Sequence, residues 1–166
     1  MQAFVLSAGV PVGDALIVLE RRCDDGDRLG HDQGEGLSLA LTAEQRTVLR
    51  GRRQTSCGRE VLLQLPRDGA LRPGDRLTDA AGSLQVEVVA APEDLLRVEA
   101  ASPLELLQAA YHLGNRHVAM ELHEHALLLH EDPVLESMLQ QRGLCLSHCR
   151  RPFLPEGGAY GGHSHS

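Results

Sequence analysis

Residues 96–115 read LRVEAASPLELLQAAYHLGN, and the spacing of their apolar side chains changes halfway along. The first five residues alternate apolar and charged side chains, which is the period of a strand with one buried face. Ser102, Pro103 and Glu105 then supply an N-cap, a first-turn proline and the third residue of a capping box. Gly114-Asn115 ends the resulting helix. The inner stripe of this helix is predicted to be Leu106, Ala110 and Leu113.

The chain that follows continues this alternation of strands and helices. Two strands are predicted at 118–122 and 126–129, with His123-Glu124-His125 at the turn between them. Asp132-Pro133 begins a second helix, and 144–148 is a last strand. The helix residues expected to face inward are Val134, Leu135, Met138 and Leu139. The order β–α–β–β–α–β predicts a ferredoxin-like domain over residues 92–150, with both helices on one face of the sheet.

The first half of the chain predicts a small β domain over residues 1–90. Apolar runs indicate strands, and a polar, Gly-rich stretch at 21–35 reads as a loop. Thr42 and Gln45 have capping-box spacing. The expected strands are 16–19, 37–41, 61–65 and 84–88, and Ala91-Pro92 is the expected linker. Residues 151–166, rich in Pro, Gly and Ser, are expected to form a flexible tail that contains His163 and His165. The fold class is therefore α+β.

The composition excludes several functional classes. The net charge is −7, and the sixteen cationic residues, all Arg, are scattered among acids, so binding to nucleic acid is not expected. The N-terminus does not resemble a signal peptide and no apolar run is long enough for a membrane span. Four Cys without export signals indicate a reducing, cytoplasmic setting with free thiols.

Histidine gives the first indication of function. Eight of the nine His follow residue 111, and imidazole is a common ligand of transition metals. His112 lies off the apolar stripe, and His117 follows the end of the helix. Their five-residue spacing does not by itself bring both to one ion, and taken alone it favours one surface His and one loop His that bind no metal over a metal site. His163 and His165 form a His-x-His pair in the predicted tail.

The remaining candidates are less specific. His123, His125 and His130 are expected to be exposed around the turn, with secondary metal uptake left open. Cys145, His148 and Cys149 lack a second ligand pair for structural zinc, so ordinary packing is favoured. The sequence contains no nucleophile, base and metal motif. It therefore favours binding over catalysis, and the chain is not expected to be an enzyme.

Several motifs, in the same order, resemble the UreE family of urease accessory proteins. The residues that carry this resemblance are AAYHLGNRH at 109–117, DPVLESML at 132–139, FLPEGGAY at 153–160, LTAEQR at 41–46, and the segments at 65–67 and 71–77. The resemblance covers most of residues 37–165. It departs from some relatives at Pro133 and Glu131, where they carry His, and the tail holds only two His, which implies little metal storage.

The resemblance implies a nickel metallochaperone. It implies a peptide-binding-like N-terminal domain, a ferredoxin-like metal-binding domain and a head-to-head homodimer. His117 would be the interface ligand, His112 an assisting ligand, and His163 and His165 the tail ligands. The ion would be Ni²⁺, with Zn²⁺ or Cu²⁺ able to substitute. The implied partners are the GTPase accessory protein UreG and the urease apoenzyme complex.

Two alternatives remain open from the sequence. The first is a scaffold in urease assembly that binds no metal, and it predicts no nickel binding at neutral pH. The second is a small zinc-dependent enzyme that uses His and Cys, and it predicts activity without a partner protein.

Overall fold

The computed structural model describes residues 16–23 and 37–157 of the chain. Within them, strands outnumber helices in both halves, and the two halves meet at Ala91. The mixed α and β content in two units agrees with the α+β class predicted from the sequence.

The first half, as far as it is described, folds into two sheets and a short helix. One sheet has the strand order β1-β5-β4 and the other has the order β2-β6-β7-β3. Leu19 and Leu63 from the first sheet join Leu39 and Val86 from the second in one buried cluster. The elements are β1 (Ile17–Leu19), β2 (Arg21–Arg22), β3 (Leu37–Leu41), α1 (Ala43–Thr47), β4 (Arg50–Gln54), β5 (Glu60–Gln64), β6 (Arg76–Thr78) and β7 (Gln85–Ala90).

The second half has the element order β–α–β–β–α–β. Its elements are β8 (Pro92–Glu99), α2 (Pro103–Gly114), β9 (Glu121–Leu122), β10 (Leu127–His130), α3 (Pro133–Gln141) and β11 (Cys145–Pro152). The four strands form one sheet in the order β11-β8-β10-β9, and each neighbouring pair is antiparallel. Its largest apolar cluster includes Leu96, Leu106, Leu113, Leu127 and Leu139.

The three helix starts are confirmed. Thr42 and Ser102 each accept a hydrogen bond from the backbone N–H three residues on, and the side chain there accepts one in return. Asp132 caps α3 by accepting from the N–H groups of Val134 and Leu135 at 2.8 and 3.0 Å. Each cap satisfies N–H groups that have no partner within the helix, and it depends only on neighbouring residues.

The predicted inner faces of the helices need two corrections. In α2 the buried residues are Leu106, Ala109 and Leu113, whereas Ala110 is only partly buried at the edge of the cluster. In α3 Val134 is 77% exposed. Val134 lies in the first turn of α3, on a different side of the helix from the buried Leu139. The prediction that Val134 faces inward is therefore wrong.

Several strand predictions also change. Two polar strands, β4 and β6, are absent from the sequence-based prediction, and β2 lies within the predicted loop at 21–35. The predicted strand at 118–122 is reduced to β9, because residues 118–120 pair with no strand in the described sheet. These differences share a cause: pairing partners, which a local pattern does not contain, determine where strands form.

The predicted linker and tail are corrected as well. Pro92 already belongs to β8, so only Ala91 separates β7 from β8. β11 continues through Arg151 and Pro152, and the side chain of Phe153 is fully buried. The flexible tail predicted from residue 151 is therefore wrong for its first residues. His163 and His165 lie outside the described residues, as does His31.

Polar contacts join the two halves. The Ala43 N–H donates to Glu93 Oε1 at 2.8 Å, and the buried Arg46 donates to the carbonyl oxygens of Leu41 and Phe153 at 3.1 and 2.6 Å. Phe153 also packs against Leu95, Leu128 and Ala43 in a small cluster at this junction.

Candidate metal centre

His117 lies in the turn that ends α2. Its N–H donates to the carbonyl of Gly114 at 2.9 Å, and the N–H of Val118 donates to that of Leu113 at 3.1 Å. Among the described residues, His117 is the only non-glycine with a positive φ, at 56°. This left-handed conformation is uncommon for a side-chain-bearing residue but several-fold enriched in His. The turn leaves the side chain of His117 exposed.

His112 lies one turn earlier, at the end of α2. It is half-buried, its ring meets that of Tyr111 edge to face at 5.6 Å between centroids, and its carbonyl accepts from Arg116 Nη1 at 3.0 Å. The two sequence-predicted ligands are thus close along the chain. Within residues 16–23 and 37–157, however, no group of three or more His, Cys, Asp or Glu is arranged to hold a metal ion.

An exposed apolar stripe runs along α2 beside these histidines. Leu104, Leu107 and Tyr111 are spaced i, i+3, i+7 and so share one side of the helix. They are 64, 67 and 68% exposed. The sequence pattern predicts only one apolar stripe on α2, formed by Leu106, Ala110 and Leu113, and this second stripe is not among the predictions. Its signal was the second set of large apolar residues at helical spacing in residues 104–111.

The C-terminal segment returns to the neighbourhood of His117. The Leu154 N–H donates to Glu121 Oε2 at 2.9 Å, and the Glu156 N–H donates to the carbonyl of Met120 at 2.7 Å. Met120 is three residues from His117. The last described residues therefore contact the segment that connects the turn at His117 with β9.

Four other histidines, by contrast, have carboxylate neighbours. His123 Nε2 is 2.8 Å from Glu121 Oε1, and His130 Nε2 is 2.7 Å from Glu93 Oε2. The exposed His125 has only a contact of 3.6 Å with Glu124.

His148 is the fourth of these histidines. Its Nδ1 is 2.7 Å from Glu131 Oε1, and its Nε2 is 3.4 Å from Glu136 Oε1. The hydrogen bond to Glu131 is the main reason that the pKa of His148 is raised above its ordinary value. The two cysteines that the sequence groups with His148 differ in their surroundings. Cys145 is exposed, whereas the half-buried Cys149 packs against the cluster that contains Phe153.

None of the described helices is long and apolar enough to cross a membrane.

Comparison with family models accounts for nearly the whole chain. Residues 18–91 match the model described as the N-terminal domain of the UreE urease accessory protein, and residues 93–166 match the model of its C-terminal domain. The boundary between the matches coincides with the junction between β7 and β8.

Curated relatives are similar over most of their length. The urease accessory protein UreE of Parasynechococcus marenigrum (strain WH8102) is 64% identical over 151 residues, which cover 91% of this chain and 97% of that protein. The UreE of Synechococcus sp. (strain CC9311) is 68% identical over 130 residues, 78% of this chain and 84% of that one. The UreE of Thermosynechococcus vestitus is 49% identical over 127 residues, with coverages of 76% and 88%.

Proposed function

The chain belongs to the family of UreE urease accessory proteins, and we propose that it binds Ni²⁺ at a homodimer interface and delivers it for assembly of the urease active site. The family name is that of an accessory protein rather than an enzyme. The observation that carries the proposal is the exposed His117, held in a left-handed turn at the end of the helix that carries an exposed apolar stripe.

The apolar stripe supports dimerisation through α2. Three large apolar side chains more than 60% exposed on one side of a helix favour association with another apolar surface. In a two-fold dimer each residue near the axis faces its own copy. Pairing through the stripe would bring the two His117 side chains toward the same axis, with His112 nearby. The antiparallel sheet order β11-β8-β10-β9 supports a ferredoxin-like arrangement for the half that carries them.

The proposed ligand set is nitrogen-rich. Two His117 imidazoles would be joined by His112 or by His163 and His165 from the C-terminal residues. Such a set suits Ni²⁺ and would also accept Cu²⁺ or Zn²⁺. Because imidazole binds metal only when neutral, the affinity should fall below about pH 6.

Delivery requires partners. We propose the GTPase accessory protein UreG and, through it, the urease apoenzyme complex, in the cytoplasm. Ligands contributed by different segments and by two chains can leave the ion one at a time as a partner supplies replacements, so a tight site could still release its metal.

The test replaces His117 with Asn and measures nickel binding by calorimetry at neutral pH. Asn is chosen because it tolerates the left-handed backbone conformation that this turn needs. We expect His117→Asn to lose the tightest binding event and His125→Ala, which changes an exposed turn histidine, to keep it. Unchanged nickel affinity in His117→Asn would refute the assignment. If the native chain bound no nickel, the metal-free scaffold role would replace the proposal.

A further inference from the structure

Strand β4 lies at the edge of its sheet. The strand order is β1-β5-β4, so among the described strands β4 pairs with β5 alone. Next to β4, the Leu65 N–H donates to the carbonyl of Leu49 at 3.1 Å. Because alternate residues of an antiparallel strand bond to the same neighbour, positions 51 and 53 also turn their backbone groups toward β5. The N–H groups at positions 50, 52 and 54 therefore point away from β5.

This outer edge of β4 is closed at one end and open along the rest. Just beyond β4, the Ser56 N–H donates to the carbonyl of Ser38 at 2.9 Å. Within β4, the carbonyl of Arg52 accepts from Arg53 Nη1 at 2.7 Å. In the part of the chain that the structure describes, no group accepts a hydrogen bond from the N–H groups at positions 50, 52 and 54. A strand edge with free backbone donors is a template for an added strand.

The charge at this edge is positive, although the chain as a whole carries −7. The exposed side chains of Arg50 and Arg52 share one face of β4. Arg52 lies 3.5 Å from Glu60 in an exposed pair. Neither Arg50 nor Arg67 forms an ion pair with another described residue, whereas Arg150 of β11 lies 2.7 Å from a carboxylate. Two cationic side chains are thus available to an acidic partner.

An open depression of about 430 Å³ lies at the start of β4. Its apolar lining includes Val48, Leu49 and Ala70, and Val48 is 44% exposed. Arg50 and Arg67 line the same depression. An apolar side chain next to a carboxylate matches this combination of surfaces.

We propose that residues 50–54 and this depression form a docking surface for an extended acidic segment of a partner protein. The segment adds to the sheet beside β4, its carboxylates contact Arg50 and Arg67, and one of its apolar side chains enters the depression. Backbone hydrogen bonds contribute affinity, and the arginines select for negative charge. A second copy of β4 is a poorer occupant because it would bring arginines close to arginines. The surface uses no metal ligand, so it is independent of the proposed nickel site.

The first experiment measures peptide binding to the full metal-free chain by fluorescence anisotropy at low ionic strength. The probe is a labelled, capped hexapeptide in which Val alternates with Asp, and the control peptide has Lys in place of Asp. We expect the acidic peptide to bind about tenfold more tightly than the basic one. The double variant Arg50→Gln, Arg67→Gln should weaken its binding about fivefold. Arg142→Gln, the same change at an exposed position after α3, should not.

Amide hydrogen exchange of the native chain distinguishes strand addition from attraction between charges alone. We expect the acidic peptide to slow exchange at positions 50, 52 and 54. Gly51 and Arg53 should change less, because their N–H groups already face β5.

Four outcomes would overturn the proposal. They are no binding of the acidic peptide, equal affinity in the double variant, binding that leaves exchange at positions 50, 52 and 54 unchanged, and exchange there that slows with protein concentration when no peptide is present. The last would show that the edge pairs with a second copy of the chain. None of these outcomes depends on whether the chain binds nickel.

Discussion

The two sides of helix α2 use similar residues for different purposes. The inner side buries Leu106, Ala109 and Leu113 against the sheet of the same chain. The outer side presents Leu104, Leu107 and Tyr111 at more than 60% exposure. Leucine at helical spacing is present on both sides, so composition does not distinguish them.

The difference separates the side of α2 that its own chain covers from the side that it leaves exposed. The inner side stabilises the fold without a partner. The outer side exposes apolar area that a second surface could remove from water, and the helix ends in the turn that carries His117. Folding and association can therefore be perturbed separately on a single helix.

The largest effect is expected on the inner side. Leu113→Ala removes a fully buried side chain and leaves a cavity, which should lower the free energy of unfolding by about 2–5 kcal/mol. Leu107→Ala should change it by less than about 0.5 kcal/mol. Urea unfolding at dilutions where the chain is monomeric measures both. Equal losses for the two variants would contradict the distinction between the sides.

A charge on the outer side should break association but not the fold. In a two-fold interface Leu107→Glu would place two carboxylates close together and out of water, which is strongly unfavourable. If the proposed dimer forms through this side, we expect Leu107→Glu to sediment as a monomer at concentrations where the native chain sediments as a dimer, and to bind nickel more weakly. Val134→Glu, a change at a 77% exposed position on α3, is the control. If Leu107→Glu remained dimeric, the interface would lie elsewhere.

The smallest of these effects is expected at His148 of β11, which contacts Glu131 and Glu136 and lies on neither side of α2. The hydrogen bond to Glu131 raises the pKa of His148 above its ordinary value. The stabilising contact is therefore fully present below the unfolded pKa of His148, and it is lost as the pH rises through the folded pKa. The native chain should have a higher midpoint of unfolding than His148→Gln. This difference in midpoint should be larger at about pH 6 than at about pH 8.5. The ring is 57% exposed, so the difference should be small. A difference that grows with pH would contradict this sign.

Local chemistry made part of the fold predictable. The caps at Thr42, Ser102 and Asp132 depend on residues within three positions, so the helix starts could be read directly. β4 could not, because its residues, Arg50-Gly51-Arg52-Arg53-Gln54, have no apolar alternation and it is a strand through its pairing with β5.

The candidate site, too, could be predicted from the sequence only in part. His112 and His117 are predicted as ligands from residue type and from the family motif, and this stays a prediction. The left-handed turn at His117 and the exposure of Leu104 and Leu107 could not be predicted from the sequence, because both depend on how α2 packs. The contacts of Glu121 with Arg151 and Leu154 could not be predicted either, because they join residues about thirty positions apart in the sequence.

The pairing of β8 with β11 has a consequence during synthesis. Pro92 lies opposite Pro152, and the register holds over all eight residues of β8, which is an inner strand of its sheet. One edge of β8 therefore stays open until residues 145–152 have left the ribosome. An unpaired strand edge can pair with other nascent chains, so the interval before β11 forms is when this half of the molecule is most prone to aggregate.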